Sequence, residues 1–357
     1  MGNPAVKPHR KRTYTPAHDF IPEAGKPREV APGVHWLRGP LPFELDHINL
    51  WLLESESGWS IVDSGFNFEV MTQAWEEVFA QTFAGKKVES IFITHFHPDH
   101  YGLGGWLAEK TGVQLQMTVP EFGMAQSLTD PAQQGLMEAL YRPYYMEAGI
   151  DGELLESMLA RRSSYQKIVY KPPQECTPAQ PGNVVTLGGR EWKVIGGYGH
   201  SPEHACLYNA QDKIFIAGDM VLPDISPNIS FFPDRFLSRD PVAAYLKTLE
   251  NIRAEVQDDA LVLPSHGVPF RGMHKRLDEL KNHHERRLEK LRDVLSPAPK
   301  TAYQAMQGLF AHRSLSRPAD LFFALGETLA HLVYDLNLGK VRKEIEDGKA
   351  FYSLGIG

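Results

Sequence analysis

The stretch SIFITHFHPDHYGLGG, Ser90 to Gly105, gathers His95, His97, Asp99 and His100 within six positions. Imidazole nitrogens and carboxylate oxygens are ligands for divalent cations, and this density suits a metal site better than a solvated corner. In extended backbone, residues two apart face the same way, so His95 and His97 can share one ion. Asp99 and His100 lie beyond Pro98, at the start of a helix, where the turning chain re-aims them toward a second ion. Such a site needs partners elsewhere, and three more segments supply them in the same setting. WKVIGGYG runs into His200, KIFIAG into Asp219 and LVLPS into His266, each just past an apolar strand, where α/β folds assemble their sites. Imidazoles with one or two carboxylates suit zinc; iron and manganese accept such sets too.

HFHPDH fits the pattern HxHxDH, and GYGHSPEH is similar to a Gly-His-Ser/Thr-Pro-x-His loop. FIAGDMVL looks like a strand that delivers a bridging aspartate, LPSHG like a last histidine loop, and VDSGFN like an early Asp-x-Gly turn. In this order, from about residue 34 to 275, they resemble the metallo-β-lactamase superfamily of dinuclear metallohydrolases. GDMVLPDISPNIS, HHERRL and the tail resemble its branch with a C-terminal winged-helix-like domain, the β-lactamase-like-protein-2 type. The resemblance implies an αββα sandwich with a helical insert and that small extra domain. It also implies His95, His97 and His200 on a first ion, Asp99, His100 and His266 on a second, and Asp219 bridging both. Two divalent ions, zinc before iron or manganese, would then hold a bridging hydroxide, with Asp99 and Asp219 as the catalytic carboxylates. His204 is expected to support its loop rather than bind metal, and Asp63 to orient ligand histidines from behind. Glu203 stands where relatives carry a small residue.

The elements that must position these groups alternate. GVHWLRG, HINLWLLES and GWSIVDSGF read as strands, VMTQAWEEVFAQTFAG as a helix closed by Gly85, and GLGGWLAEKTG as a helix ending at Gly112. Strands alternating with helices argue for a layered α/β fold. REWKVIGG, HACLYNAQDKIFIAGD and DALVLPSHG read as later strands, with AQDK turning between two of them, and a long charged amphipathic helix follows at GMHKRLDELKNHHERRLEKLRDVLS. Residues 1–30 read as a solvated arm, 31–296 as the hydrolase domain and 297–357 as the C-terminal domain, with SPAPK at the boundary. Within the C-terminal domain, a pair of helices precedes a hairpin that turns at Asp347-Gly348. The stretch at about 118–175 is helical and rich in Met and Tyr. As an insert it would cover the metal cleft, with Tyr141, Tyr144 and Tyr145 as walls of the substrate pocket. His283 and His284, amid alternating charges, read as a solvated face, and Cys206 as a small core residue.

Composition narrows the class. In 357 residues, 42% hydrophobic and 23% charged, the net charge of -7 disfavours general affinity for nucleic acid or anionic membrane. Cys176 and Cys206 give no disulfide framework, which suits the cytoplasm. The amino terminus has no apolar segment of a secretory signal, and no run approaches a membrane span. The expected activity is hydrolysis of a small carbonyl substrate (a thioester, ester or lactone) by a soluble enzyme, with a homodimer as the only macromolecular partner. The alternative is a metal-dependent ribonuclease or phosphodiesterase. Against it, the helical stretch PADLFFALGETLAHLVYDLNLG carries no Lys or Arg, whereas a phosphate-binding helix would carry cations.

Overall fold

Strands that alternate two apolar faces must be covered on both, and this chain solves that by stacking two sheets between helical layers. The computed structural model describes residues 14–162, 165–234, 236–315 and 317–355. One seven-stranded sheet runs, in spatial order, Arg28–Ala31, Val34–Pro40, His47–Glu54, Gly58–Val62, Lys87–Phe92, Leu115–Met117 and Thr177–Pro178. The other, also seven-stranded, runs Thr15–Pro16, Phe270–Arg271, Leu261–Pro264, Ile214–Gly218, His204–Asn209, Arg190–Gly197 and Val184–Leu187.

Period-two alternation assigns each side chain to a layer. Trp51 and Leu53 point between the sheets and meet Trp192, Val194, Leu207 and Ile216. Leu50 and Leu52 point outward, under Trp75 of the helix Glu69–Glu77 and Leu107 of the helix Gly104–Thr111. On the far side Cys206, Phe215 and Val262 lie under Val242 and Leu249 of the helix Pro241–Glu255 and Leu277 of the helix Met273–Leu295. This is the expected αββα sandwich. Gly112 closes its helix in the left-handed conformation at φ 72°, and Asp347 and Gly348 turn the last hairpin at φ 48° and 76°, as those residue types favour.

Three expectations need correction. The arm is not solvated throughout: residues 1–13 lie outside the described residues, but Tyr14 is buried and Thr15–Pro16 pairs with Phe270–Arg271. That strand covers an edge of the second sheet that would otherwise present unpaired backbone.

The second correction concerns the tail. Its helices Ala302–Leu309 and Pro318–Asn337 and its three-stranded sheet (Lys300–Thr301, Lys349–Leu354, Val341–Glu346) follow the expected order of two helices and a hairpin. They do not, however, close a core of their own. Met306, Leu309, Leu325 and Leu329 share one apolar cluster with Tyr141, Tyr145, Leu155 and Met158 of the insert and with Leu291 and Leu295. Lys343 and Lys349 pair with Glu147 and Asp151 of the insert.

Third, His284 is buried rather than solvated. Its Nδ1 lies 3.1 Å from His331 Nε2, and His331 in turn donates from Nδ1 to the Glu327 carbonyl at 2.7 Å. Most of the alternating charges occupy the outer face of that helix, while Arg287 and Arg292 turn to Glu327 and Asp335 of the tail helix.

The shared cluster makes a prediction. A chain ending at Ser296 would expose Tyr141, Tyr145, Leu291 and Leu295, and should lose cooperative thermal unfolding and aggregate. A truncated chain that melts cooperatively and keeps the metal content of the full chain would show that the tail is separable.

Candidate metal centre

Every candidate ligand leaves the end of a strand at one rim of the sandwich. His95 follows Lys87–Phe92 by way of Ile93 and Thr94, and Pro98 at the first position of a short helix turns Asp99 and His100 back toward it. His200 follows Arg190–Gly197, Asp219 follows Ile214–Gly218, and His266 follows Leu261–Pro264. The ligand atoms fall into two groups, each lying within 4.8 Å of one another: His95, His97, His200 and Asp219, then Asp99, His100 and His266. In the first, His95 Nε2 lies 2.8 Å from His97 Nδ1 and 3.3 Å from His200 Nε2. In the second, His266 Nε2 and His100 Nε2 lie 3.4 and 3.7 Å from Asp99 Oδ2. Asp219 joins them, with Oδ2 at 3.3 Å from His200 Nε2 and Oδ1 at 3.4 Å from both His100 Nε2 and His266 Nε2.

The surroundings fix which ring nitrogens are bare. His200 Nδ1 donates to the Asn228 carbonyl at 2.9 Å and His266 Nδ1 to the His47 carbonyl at 2.8 Å. His100 Nδ1 donates to Asp63 Oδ2 at 2.8 Å. Thr94 Oγ1 donates to Asp63 Oδ2 at 2.9 Å and so receives His95 Nδ1, 3.0 Å away. Each of these four rings therefore turns its Nε2 inward. Burial opposes charge on His100 and His266, yet the facing carboxylates of Asp219 and Asp99 raise the pKa of both. Burial pushes His97 down to about 3 and holds His95 well below the usual imidazole range, so both stay neutral. Burial opposes ionisation of Asp219, yet the charge of His100 and His266 keeps it well below the usual carboxylate range. Among the described residues, buried His100 Nε2 and Asp219 Oδ1 have no hydrogen-bond partner. Converging lone pairs and orphaned buried acceptors are costly unless a cation sits between them; the donor set fits divalent metal ions.

The supporting residues are placed as follows. Asp63, held at φ 64°, accepts from the Thr94 amide at 2.8 Å as well as from Thr94 Oγ1 and His100. His204 Nε2 accepts from the Asp219 amide at 3.2 Å and belongs to neither ligand group. The expectation that Tyr141, Tyr144 and Tyr145 wall the substrate pocket changes for Tyr141 and Tyr145. Tyr141 and Tyr145 are buried in the cluster shared with the tail, and Tyr144 donates to the Phe231 carbonyl at 2.9 Å. Helical spacing had marked them as one apolar face without saying what would cover it.

Three contributors escaped sequence reasoning. Asn228 serves through its carbonyl, which no side chain reveals. His47 also accepts the Gly267 amide on Nε2 at 2.7 Å, doubling its grip on the last histidine loop. Glu121 is wholly buried and accepts from Phe96, Ser201 and Glu203. As an acid in the first turn of a helix it reads as an ordinary exposed partner of the helix dipole.

A family model described as the metallo-beta-lactamase superfamily matches residues 44–266, more than half of the chain. The chain belongs to the metallo-beta-lactamase superfamily. A second model, the metallo-beta-lactamase-like C-terminal domain, matches 288–353 and so begins inside the helix Met273–Leu295, whose last turns already pack with the tail. A beta-lactamase domain protein from Burkholderia ambifaria is similar in structure at a TM-score of 0.85 and 38% identity, over 96% of this chain and 98% of that one. A metallo-beta-lactamase family protein from Thermus thermophilus matches at 0.76 and 28%, over 91% and 100%. The probable metallo-hydrolase YqjP of Bacillus subtilis (strain 168) is 23% identical over 304 residues, 83% of this chain and 90% of that protein. Membership, the His/Asp cluster and these relatives make the protein a metal-dependent hydrolase. No helix among the described residues is long and apolar enough to cross a membrane.

Asp63 offers a test of the support. Asn tolerates the same left-handed backbone but presents an amide where Asp63 accepts three hydrogen bonds. Asp63→Asn should therefore fold and lose metal affinity by about 10–100-fold, read by chelator competition; unchanged affinity would deny Asp63 that role.

Proposed function

We propose that this superfamily member hydrolyses a small carbonyl substrate (thioester, ester or lactone) with two divalent ions, zinc before iron or manganese. The observation that carries the two-ion reading is Asp219, which turns Oδ2 to His200 at 3.3 Å and Oδ1 to His100 and His266 at 3.4 Å, between two complete ligand groups. Ions bound there supply Lewis acidity toward a carbonyl oxygen and lower the pKa of water toward neutrality. The chain's own groups aim lone pairs, keep the four ring tautomers fixed and seal the floor of the site.

The leaving group narrows the choice further. Burial works against ionisation of Asp99, but the His100 charge and the hydrogen bond from His266 bring its carboxyl down to about 2. At neutral pH Asp99 is therefore a ligand with no proton to give, which favours leaving groups that need none, a thiolate first. Cys206 takes no part as a nucleophile: it is buried, and burial raises its thiol pKa far above neutrality. Both cysteines are free, which suits a cytoplasmic enzyme.

The phosphodiesterase alternative fares worse. In the helix Pro318–Asn337, Asp335 pairs with Arg292 and Glu327 with Arg287, both partners lying within the fold. Lys343 and Lys349 of the hairpin are engaged by the insert. Lys340 and Arg342 stay exposed, but the neighbouring Glu344, Glu346 and Asp347 are exposed as well and offset them toward a phosphate backbone.

The zinc-loaded protein should be assayed side by side on acyl-CoA thioesters, lactones, a β-lactam and RNA. Turnover of carbonyl substrates is expected, and Asp219→Ala should remove it together with bound metal while leaving the far-UV circular dichroism intact. RNA cleavage without carbonyl turnover, or activity that survives Asp219→Ala, would contradict the proposal.

A further inference from the structure

The insert reaches the metal centre without donating a ligand. Glu121 stands in the first turn of the helix Val119–Thr129 and is fully buried. Its Oε2 accepts from the Phe96 amide at 3.0 Å; its Oε1 accepts from Ser201 Oγ at 2.5 Å and from the Glu203 amide at 2.8 Å. Phe96 lies between His95 and His97, and Ser201 directly follows His200. The insert holds Phe96 and Glu203 by their carbonyls as well. Tyr165 Oη donates to Phe96 O at 2.5 Å, and Thr118 Oγ1 donates to Glu203 O at 2.8 Å.

These loops leave different sheets: the first follows Lys87–Phe92, the second follows Arg190–Gly197. Directly between them runs the hydrogen bond from the Ala205 amide to the Thr94 carbonyl, at 2.9 Å. Beyond it, the distance between the pair His95–His97 and His200 depends on what bridges the sheets at the rim. A buried carboxylate is an expensive bridge. Desolvation drives the Glu121 carboxyl up to about 7, against the pull of its three donors.

We propose that Glu121, flanked by Thr118 and Tyr165, is a positioning residue that sets His95 and His97 against His200 and thereby tunes the affinity of the first metal group but not the second. The inference rests on the two-ion reading. It also gives the insert a role other than a lid, as the bracket across the open rim.

The test is zinc titration against a chromophoric chelator on the full-length wild type, Glu121→Gln and Glu121→Ala, with melting temperatures of the metal-free proteins. Gln keeps the size but turns an NH2 toward at least one donor that needs an acceptor. One of the two zinc steps should weaken about 10–100-fold in Glu121→Gln and more in Glu121→Ala, with the other step unchanged. The metal-free Glu121→Gln chain should still fold and melt cooperatively, because Gln keeps the size of the buried side chain. Unchanged zinc steps in Glu121→Gln would overturn the proposal. So would equal weakening of both steps with a lower metal-free melting temperature, the mark of a merely structural residue. A wild-type chain that shows no two-step zinc binding would overturn the two-ion reading and this inference with it; that failure appears before any substitution is made.

Discussion

Electron pairs aimed at one another across about 3 Å repel strongly in a medium of low dielectric. The rim of this sandwich arranges that situation on purpose. His95 Nε2 faces His97 Nδ1 at 2.8 Å and His200 Nε2 at 3.3 Å, with the Asp219 carboxylate alongside. On His95, His100, His200 and His266 the surrounding hydrogen bonds occupy the other ring nitrogen and hold Nε2 toward the centre. The folded state around the centre is thus built for a bound cation, and its second layer of residues is understood as the means of bearing the strain until one arrives.

That second layer is spread across the whole molecule. Asp63 reaches the centre from the first sheet, the His47 carbonyl from its neighbouring strand, and Glu121 from the insert. Asn228 belongs to a segment that continues to Phe231, whose amide donates to the Gly326 carbonyl at 3.0 Å in the long tail helix. A Cβ at position 326 would come within 2.7 Å of Ser230 Oγ and 2.8 Å of the Phe232 ring. Insert, tail and sandwich therefore share the task of holding one histidine.

The ligands were legible because they are local. Each sits just past a strand that period-two patterning reveals or in the corner that follows it, where four of them crowd together. Their assignment to two groups came with the family resemblance, and the geometry of the rim agrees with it. What failed to show was every relation between distant apolar faces. Tyr141 and Tyr145 have the spacing of a buried helix face, and only the tail's position says that the face is core rather than cleft. His284 looked solvated because charges flank it, yet the helix Pro318–Asn337 covers it. One miss was avoidable. Asp240 followed by Pro241 is a sound helix start, and Asp240 does accept from the Ala243 amide at 3.0 Å at the head of the helix Pro241–Glu255.

Anomalous diffraction at the zinc edge, on crystals grown from metal-loaded protein, addresses the central claim without reference to any substrate. The account predicts two peaks. One should lie about 2.0–2.2 Å from nitrogens of His95, His97 and His200, the other at similar distances from Asp99, His100 and His266, with one Asp219 oxygen on each. A single peak, or a zinc held by other side chains while these seven remain bare, would contradict it.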